Sequence, residues 1–175
     1  MPTFYARIHE IVGELMSASN FYIALYDDKR KAINFPYYVD EVDLDIPDPT
    51  VWEPIGIGNA KGLTAYVLRT GRVQHLGRDA WPDLIARGEI EAVGVPGVDW
   101  LGVPLRFEDE TLGALVVQTY REGEVYTDGD VELITFVGQH VAQALTRARA
   151  IDETRARNEE LALVNEVGAA IASQL

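Results

Sequence analysis

The chain has 175 residues, no cysteine, and 15 basic against 28 acidic side chains, for a formal net charge of -13. That balance offers no electrostatic footprint for nucleic acid or an anionic membrane. The missing thiols exclude disulfides, thiolate metal sites, thiol nucleophiles and any thioether-linked chromophore. No apolar run reaches the roughly 18 residues of a membrane span, and residues 1–20 mix charge with apolar positions unlike a signal peptide, so a reducing cytoplasm is the expected setting.

In chain order, Phe4, Ile8, Ile11, Val12, Leu15 and Met16 recur at helical spacing and predict a short amphipathic helix broken at residues 17–20. Residues 21–26 and 32–39, apolar and aromatic around a turn at 27–30, read as a hairpin. Residues 40–58 hold Pro47, Pro49, Pro54 and six acids without a base, a long loop of the kind that often serves as a lid. A helix from Gly62 closes at Thr70 and Gly71, a strand follows at 73–76, and one or two helical turns occupy 79–88. After a loop at 89–99, residues 100–107 and 112–120 form a second hairpin, nearly continuous in apolar residues.

Thr127, with Asp130 three places on, opens a helix of roughly forty residues, far above the globular mean. Its apolar positions Val131, Ile134, Val137, Val141, Ala144, Ala148 and Ile151 step by threes and fours. Such a seam can cover a sheet, pair with a second helix, or do the first early and the second late. Beyond Ala148 the side chains alternate in charge, so residues 1–148 read as one domain and 149–163 as a charged linker helix. Residues 164–173 echo the apolar spacing of residues 8–17, which makes 164–175 the expected start of a following domain, cut short. Adjacent antiparallel strands between helices indicate an α+β fold.

Four motifs in this order and spacing resemble a GAF domain over about residues 4–148: Phe21-Tyr22-Ile23-Ala24-Leu25-Tyr26-Asp27; Gly62-Leu63-Thr64 with Val67 and Thr70-Gly71-Arg72; Trp100-Leu101-Gly102-Val103-Pro104-Leu105; and Leu112-Gly113-Ala114-Leu115. The resemblance implies a central antiparallel sheet, with the first and last helices on one face and a small-molecule pocket on the other. It also implies a non-catalytic sensory input domain of a larger bacterial signalling protein, whose output would be a histidine kinase or a nucleotide cyclase. The transmission helix, carrying Ile134, Val137, Val141, Ala144, Ala148 and Ile151, would form a homodimer and pass the signal to the output domain.

Pocket candidates follow from the elements that wall the site in the family: Trp52, Leu63, Thr64, Tyr66, Val67, His75, Asp79, Trp81, Trp100, Gly102 and Gln118. Strand alternation puts Trp100, Gly102 and Pro104 on one face and Leu101, Val103 and Leu105 on the other, leaving open which face meets the pocket. Gln118, polar within an apolar run, must find a hydrogen-bond partner if buried. Gly58, Asn59, Lys61 and Gly62, leading into a helix, are anion-binding candidates; the alternative is glycine needed for a tight turn.

The cyclic-nucleotide signature of the family is not reproduced, because Asn59 and Lys61 are not adjacent, and no covalent bilin can attach without cysteine. His9, His75 and His140 have no metal-site spacing, although His75 could bond a ligand or take a haem iron; neither haem nor cyclic nucleotide has further support. The acids of residues 40–48 lack the glycine and the bidentate Glu of a calcium loop. Two other readings stand beside the sensory one. One is a ligand-free structural dimerisation module; the other is a small enzyme acting through Asp79, His75 and Gln118.

Overall fold

Six strands build one sheet in the order β3-β2-β1-β6-β5-β4, every neighbouring pair antiparallel, in a computed structural model that describes residues 2–56 and 61–172. Along the chain, α1 (Pro2–Leu15) precedes β1 (Asn20–Asp27), β2 (Ala32–Val39) and the two-residue β3 (Glu53–Pro54). Then come α2 (Leu63–Thr70), β4 (Gln74–Gly77), a 3-10 turn at Arg78–Ala80 and α3 (Trp81–Ala86). The β5 (Asp99–Phe107) and β6 (Glu110–Thr119) hairpin leads into α4 (Asp128–Ala172). The antiparallel α+β architecture expected from the sequence is present, and β3 is an addition to it.

Both faces of the sheet are covered, which is why its central strands are apolar almost throughout. Phe21 and Ile23 of β1, Leu101, Val103 and Leu105 of β5, and Leu115 and Val117 of β6 pack against α1 and α4. Tyr22 and Ala24, Trp100, Ala114 and Val116 point the other way, into a second core with Leu63, Ala65, Val67 and Leu68 of α2 and Trp81 and Leu84 of α3. The face of β5 carrying Trp100 and Gly102 is therefore the α2 face. Prolines sit where strands have a neighbour on one side only. Pro36 lies at the irregularity between β1 and β2, outside the two residues that β3 pairs, and Pro104 lies beyond the last β4–β5 pair at Gly102.

On α1 the buried stripe is Tyr5, Val12 and Met16, with Ile8 packed partly against it, while Phe4, Ile11 and Leu15 are exposed. The helix is thus turned by about one residue from the face the apolar spacing favoured, because the phenol of Tyr5 is the larger group to bury. Thr127 and Asp130 form the expected capping box: Thr127 N–H donates to Asp130 Oδ2 at 2.8 Å and Asp130 N–H to Thr127 Oγ1 at 3.2 Å. In α4, Ile134, Val141, Ala142 and Leu145 are buried against the sheet and Val137 packs partly on it. Ala144 and Ala148 are half-buried, Ile151 is exposed, and the described side chains from residue 149 onward all face solvent. At 45 residues the helix runs about 67 Å, so more than a third of it stands clear of the sheet.

Candidate ligand-binding site

On the α2 face, a small cavity of about 50 Å³ is enclosed where the sheet, two helices and two loops converge. Tyr22, Phe35, Tyr38 and Trp100 supply its floor from β1, β2 and β5; Trp81 comes from the start of α3, and Gly62, Leu63 and Thr64 from the start of α2. Asp43 from the loop after β2 and Val93, Gly94 and Val95 from the loop before β5 form the roof, and Gln118 closes one end. A water needs roughly 10–15 Å³ of such space, so the cavity holds a few waters and no larger molecule without movement of its walls.

The aromatic floor is held by specific contacts. Tyr22 stacks on Tyr38 with centroids 4.9 Å apart, takes Phe35 edge-on at 6.0 Å, and shares a 3.0 Å hydrogen bond with the Thr64 hydroxyl. Gly102 makes the room for Trp100: a Cβ at that glycine would lie 2.2 Å from the indole Cη2. Trp81 is 7% exposed, and its indole N–H has no hydrogen-bond partner among the described residues. A buried donor without a partner is costly, about 1–3 kcal/mol. The first turn of α2 borders the same space and has no side-chain cap, so its free N–H groups present partial positive charge there.

The roof loop is pinned by side chains at both ends. Asp40 Oδ2 accepts from Gln118 Nε2 at 2.6 Å and from the Tyr120 hydroxyl at 3.0 Å, while its Oδ1 accepts from the backbone of Val42 and Asp43. Buried Asn20 receives the Glu41 N–H on Oδ1 and donates Nδ2 to the Gln118 carbonyl. Asn34 Nδ2 donates to the carbonyls of Pro49 and Val51. Gln118 thus has its polar partner in a carboxylate of the loop. Asp40→Ala should cost about 1.5–3 kcal/mol, the range for hydrogen bonds to a charged group. Urea unfolding checks this, together with faster proteolysis between residues 40 and 52; an unchanged cleavage rate would contradict the pinning role.

Burial pushes the Tyr22 hydroxyl up to about 12, outweighing its hydrogen bonds with Thr64 and Trp100, with the Asp40 and Asp43 charges adding to the rise. Burial, then the neighbouring Tyr22 and the same two carboxylates, also raises Tyr38, and burial and Asp40 raise Tyr120. Folded Tyr22 holds its proton more tightly than the unfolded chain, whose tyrosines titrate near 10. Its stability contribution is complete below about pH 10 and lost as pH climbs through about 12. Unfolding midpoints should therefore fall across that window, with a smaller fall in Tyr22→Phe; a flat profile would contradict the assignment.

Of the residues singled out from sequence, Leu63, Thr64, Trp81, Trp100 and Gln118 line this cavity together with Gly62. Gly102 lies beneath Trp100, and Val67 packs beside it in the same core. The other candidates are elsewhere. Trp52 stands beside Arg30, and Tyr66 lies under the Arg69 guanidinium. His75 pairs with Leu101, on the α1/α4 face, and its Nε2 is 2.8 Å from Asp99 Oδ2; the strand phase points it away from the cavity. Asp79 is exposed in the 3-10 turn. His75 and Gln118 are on opposite faces of the sheet, so they share no constellation with Asp79. Gly58 and Asn59 lie outside the described residues, and Lys61 is paired with Glu91 at 2.9 Å on the surface. Among the described residues, no group of three or more His, Asp or Glu side chains could hold a metal ion.

A six-stranded antiparallel sheet, with terminal helices on one face and a roofed cavity on the other, defines an antiparallel α+β class of domain. Residues 1–146 match the sequence profile of the GAF domain, and the chain belongs to that family. GAF domains are sensory and regulatory modules of signalling proteins. The second GAF domain of DevS from Mycobacterium smegmatis is similar at 17% identity and TM-score 0.61, over 88% of this chain and 99% of that one. The GAF domain of a two-component sensor histidine kinase from Bacillus halodurans is similar at 11% and 0.63, over 87% and 97%. A type II free methionine-R-sulfoxide reductase from Thermoplasma acidophilum is similar at 11% and 0.58, over 81% and 88%. At these identities the likeness is one of fold. No curated protein sequence matches the chain. Among the described residues no helix is long and apolar enough to cross a membrane.

Proposed function

We propose that this chain is a non-catalytic input domain of a larger, cytoplasmic signalling protein, in which a small molecule in the roofed cavity biases the terminal helix. The observation that carries the reading is the roofed cavity itself, floored by Tyr22, Phe35, Tyr38 and Trp100 and bordered by the uncapped first turn of α2. The second half of the reading rests on α4. It packs against β5, a strand that also supplies Trp100 to the cavity floor, and then runs on into solvent, so one sheet lies between ligand and helix. Residues 149–163 would serve as the linker and 164–175 as the opening of the next domain, with a histidine kinase or nucleotide cyclase as the output.

Thermal unfolding against a metabolite panel, followed by hydrogen exchange of residues 149–167 with the compound that stabilises, tests both halves. A raised melting temperature with altered exchange in the linker is the expected result; stabilisation with no change in the helix would separate binding from transmission and sink the relay. A second reading, a dimerisation module, is favoured by the exposed Phe4, Ile11 and Leu15 on α1 and Phe136, Ile151, Leu161 and Val164 on α4. In the proposed homodimer these faces meet. Sedimentation of the whole chain, compared with Phe136→Glu, should show a dimer reduced to monomer.

A further inference from the structure

We propose that the cavity of this domain takes a small organic ammonium compound that also carries an oxygen acceptor. The inference rests on the cavity being a ligand site and goes on to name the ligand's chemistry. Five aromatic residues, Tyr22, Phe35, Tyr38, Trp81 and Trp100, line the cavity, and Asp43 is the one charged residue lining it among the described residues. Aromatic rings around a carboxylate attract a cation whose charge is spread over methyl or methylene groups. Among the described residues no lysine or arginine lines the cavity, so a phosphate meets the Asp43 charge without a counterion there. The charges of Asp40 and Asp43 are felt by both Tyr22 and Tyr38, so the field at the floor is negative.

A hard metal ion is a poor occupant, because calcium and magnesium take six or more oxygens and the lining offers few. The cation must therefore be organic. Two features at the opposite wall ask for an acceptor instead. The Trp81 N–H is unpartnered and buried behind the cavity surface, where a ligand oxygen reaches it only once the roof parts, and the first-turn N–H groups of α2 at Leu63 and Thr64 have no side-chain cap. A hydroxyl or carboxylate oxygen there, with the ammonium toward Asp43, satisfies both walls with one molecule. Space must come from the roof. Asp43 Oδ2 rests against Gly94, 2.6 Å from where a Cβ at that residue would be, so parting these two loops is the movement that admits the ligand.

Calorimetric titration of the whole chain with ethanolamine and choline, each against its neutral isostere (1-propanol and 3,3-dimethyl-1-butanol), tests the proposal, with cyclic GMP and inorganic phosphate as anions. At least one ammonium compound is expected to bind ten or more times tighter than its isostere, with a change in tryptophan fluorescence. Asp43→Asn should weaken it at least tenfold at an unchanged unfolding midpoint. Trp81→Phe, which keeps a ring and removes the N–H, should weaken choline more than tetramethylammonium, which has no acceptor. Equal binding of isostere and cation, or preference for cyclic GMP, overturns the ammonium assignment and leaves small-molecule sensing in place. Absence of binding by both cations also overturns it, and the metabolite panel then decides the sensing reading separately.

Discussion

Gly113→Ala is expected to lose about 3 kcal/mol or more of stability, a large share of the roughly 5–15 kcal/mol that holds a domain together. A Cβ there would lie 2.1 Å from the Ala24 carbonyl oxygen and 3.1 Å from the Leu25 Cα. Both are backbone atoms of β1, at the centre of the sheet, and no rotamer change can relieve the clash. The two strands must separate where Leu25 pairs with Gly113, beside the irregularity that β1 already carries against β2. Urea unfolding gives the loss directly, as a lower midpoint at constant slope. A loss below about 1 kcal/mol, within the reach of an ordinary surface change, would mean that the strands can slide apart cheaply.

Trp100→Ala should cost about 3–5 kcal/mol, the range for truncating a buried tryptophan. Its side chain is 2% exposed and forms part of the cavity floor, so truncation joins the indole's space to the existing cavity. Loss of stability should therefore come with a new binding property. Added indole is expected to raise the melting temperature of the variant and leave that of the wild type unchanged. Trp52→Ala is the matched control, because Trp52 is half-exposed beside Arg30 and its loss should cost under about 1 kcal/mol. Equal destabilisation by the two substitutions would contradict the placement of Trp100.

The two glycines show why a motif can be read before its reason is known. Gly102 and Gly113 mark the resemblance in sequence, but the close approaches that require them, to Trp100 and to the β1 backbone, are long-range and appear only when strands pair. Trp81, Trp100 and Thr64 were singled out by the resemblance and Gln118 by its polarity in an apolar run; alternation grouped Trp100 with Gly102, but which side of β5 meets α2 depends on how the sheet packs and was open in the sequence. The facing of His75 was open too, because β4 has four residues and too short an alternation to fix its phase. Asn20 and Asn34 carry a signal that sequence reading passed over: like Gln118, each is a polar side chain in an apolar strand and must find a partner when buried. Their partners are backbone groups of β6 and of the loop after β2, distant along the chain, which no local pattern reveals. The pairing of Lys61 with Glu91 is equally invisible from its own neighbourhood.

The positions of Pro36 and Pro104 matter for more than the ladder they leave intact. Each interrupts a stretch of strand that its short outer neighbour fails to cover, and there the backbone has no N–H to offer an incoming chain. A second copy docking edge-on, or a half-folded domain emerging during synthesis, meets a break in the hydrogen-bond row where it tries to extend β2 or β5 at these stretches. In the proposed homodimer, pairing through the terminal helices would leave these interrupted stretches of strand out of the interface.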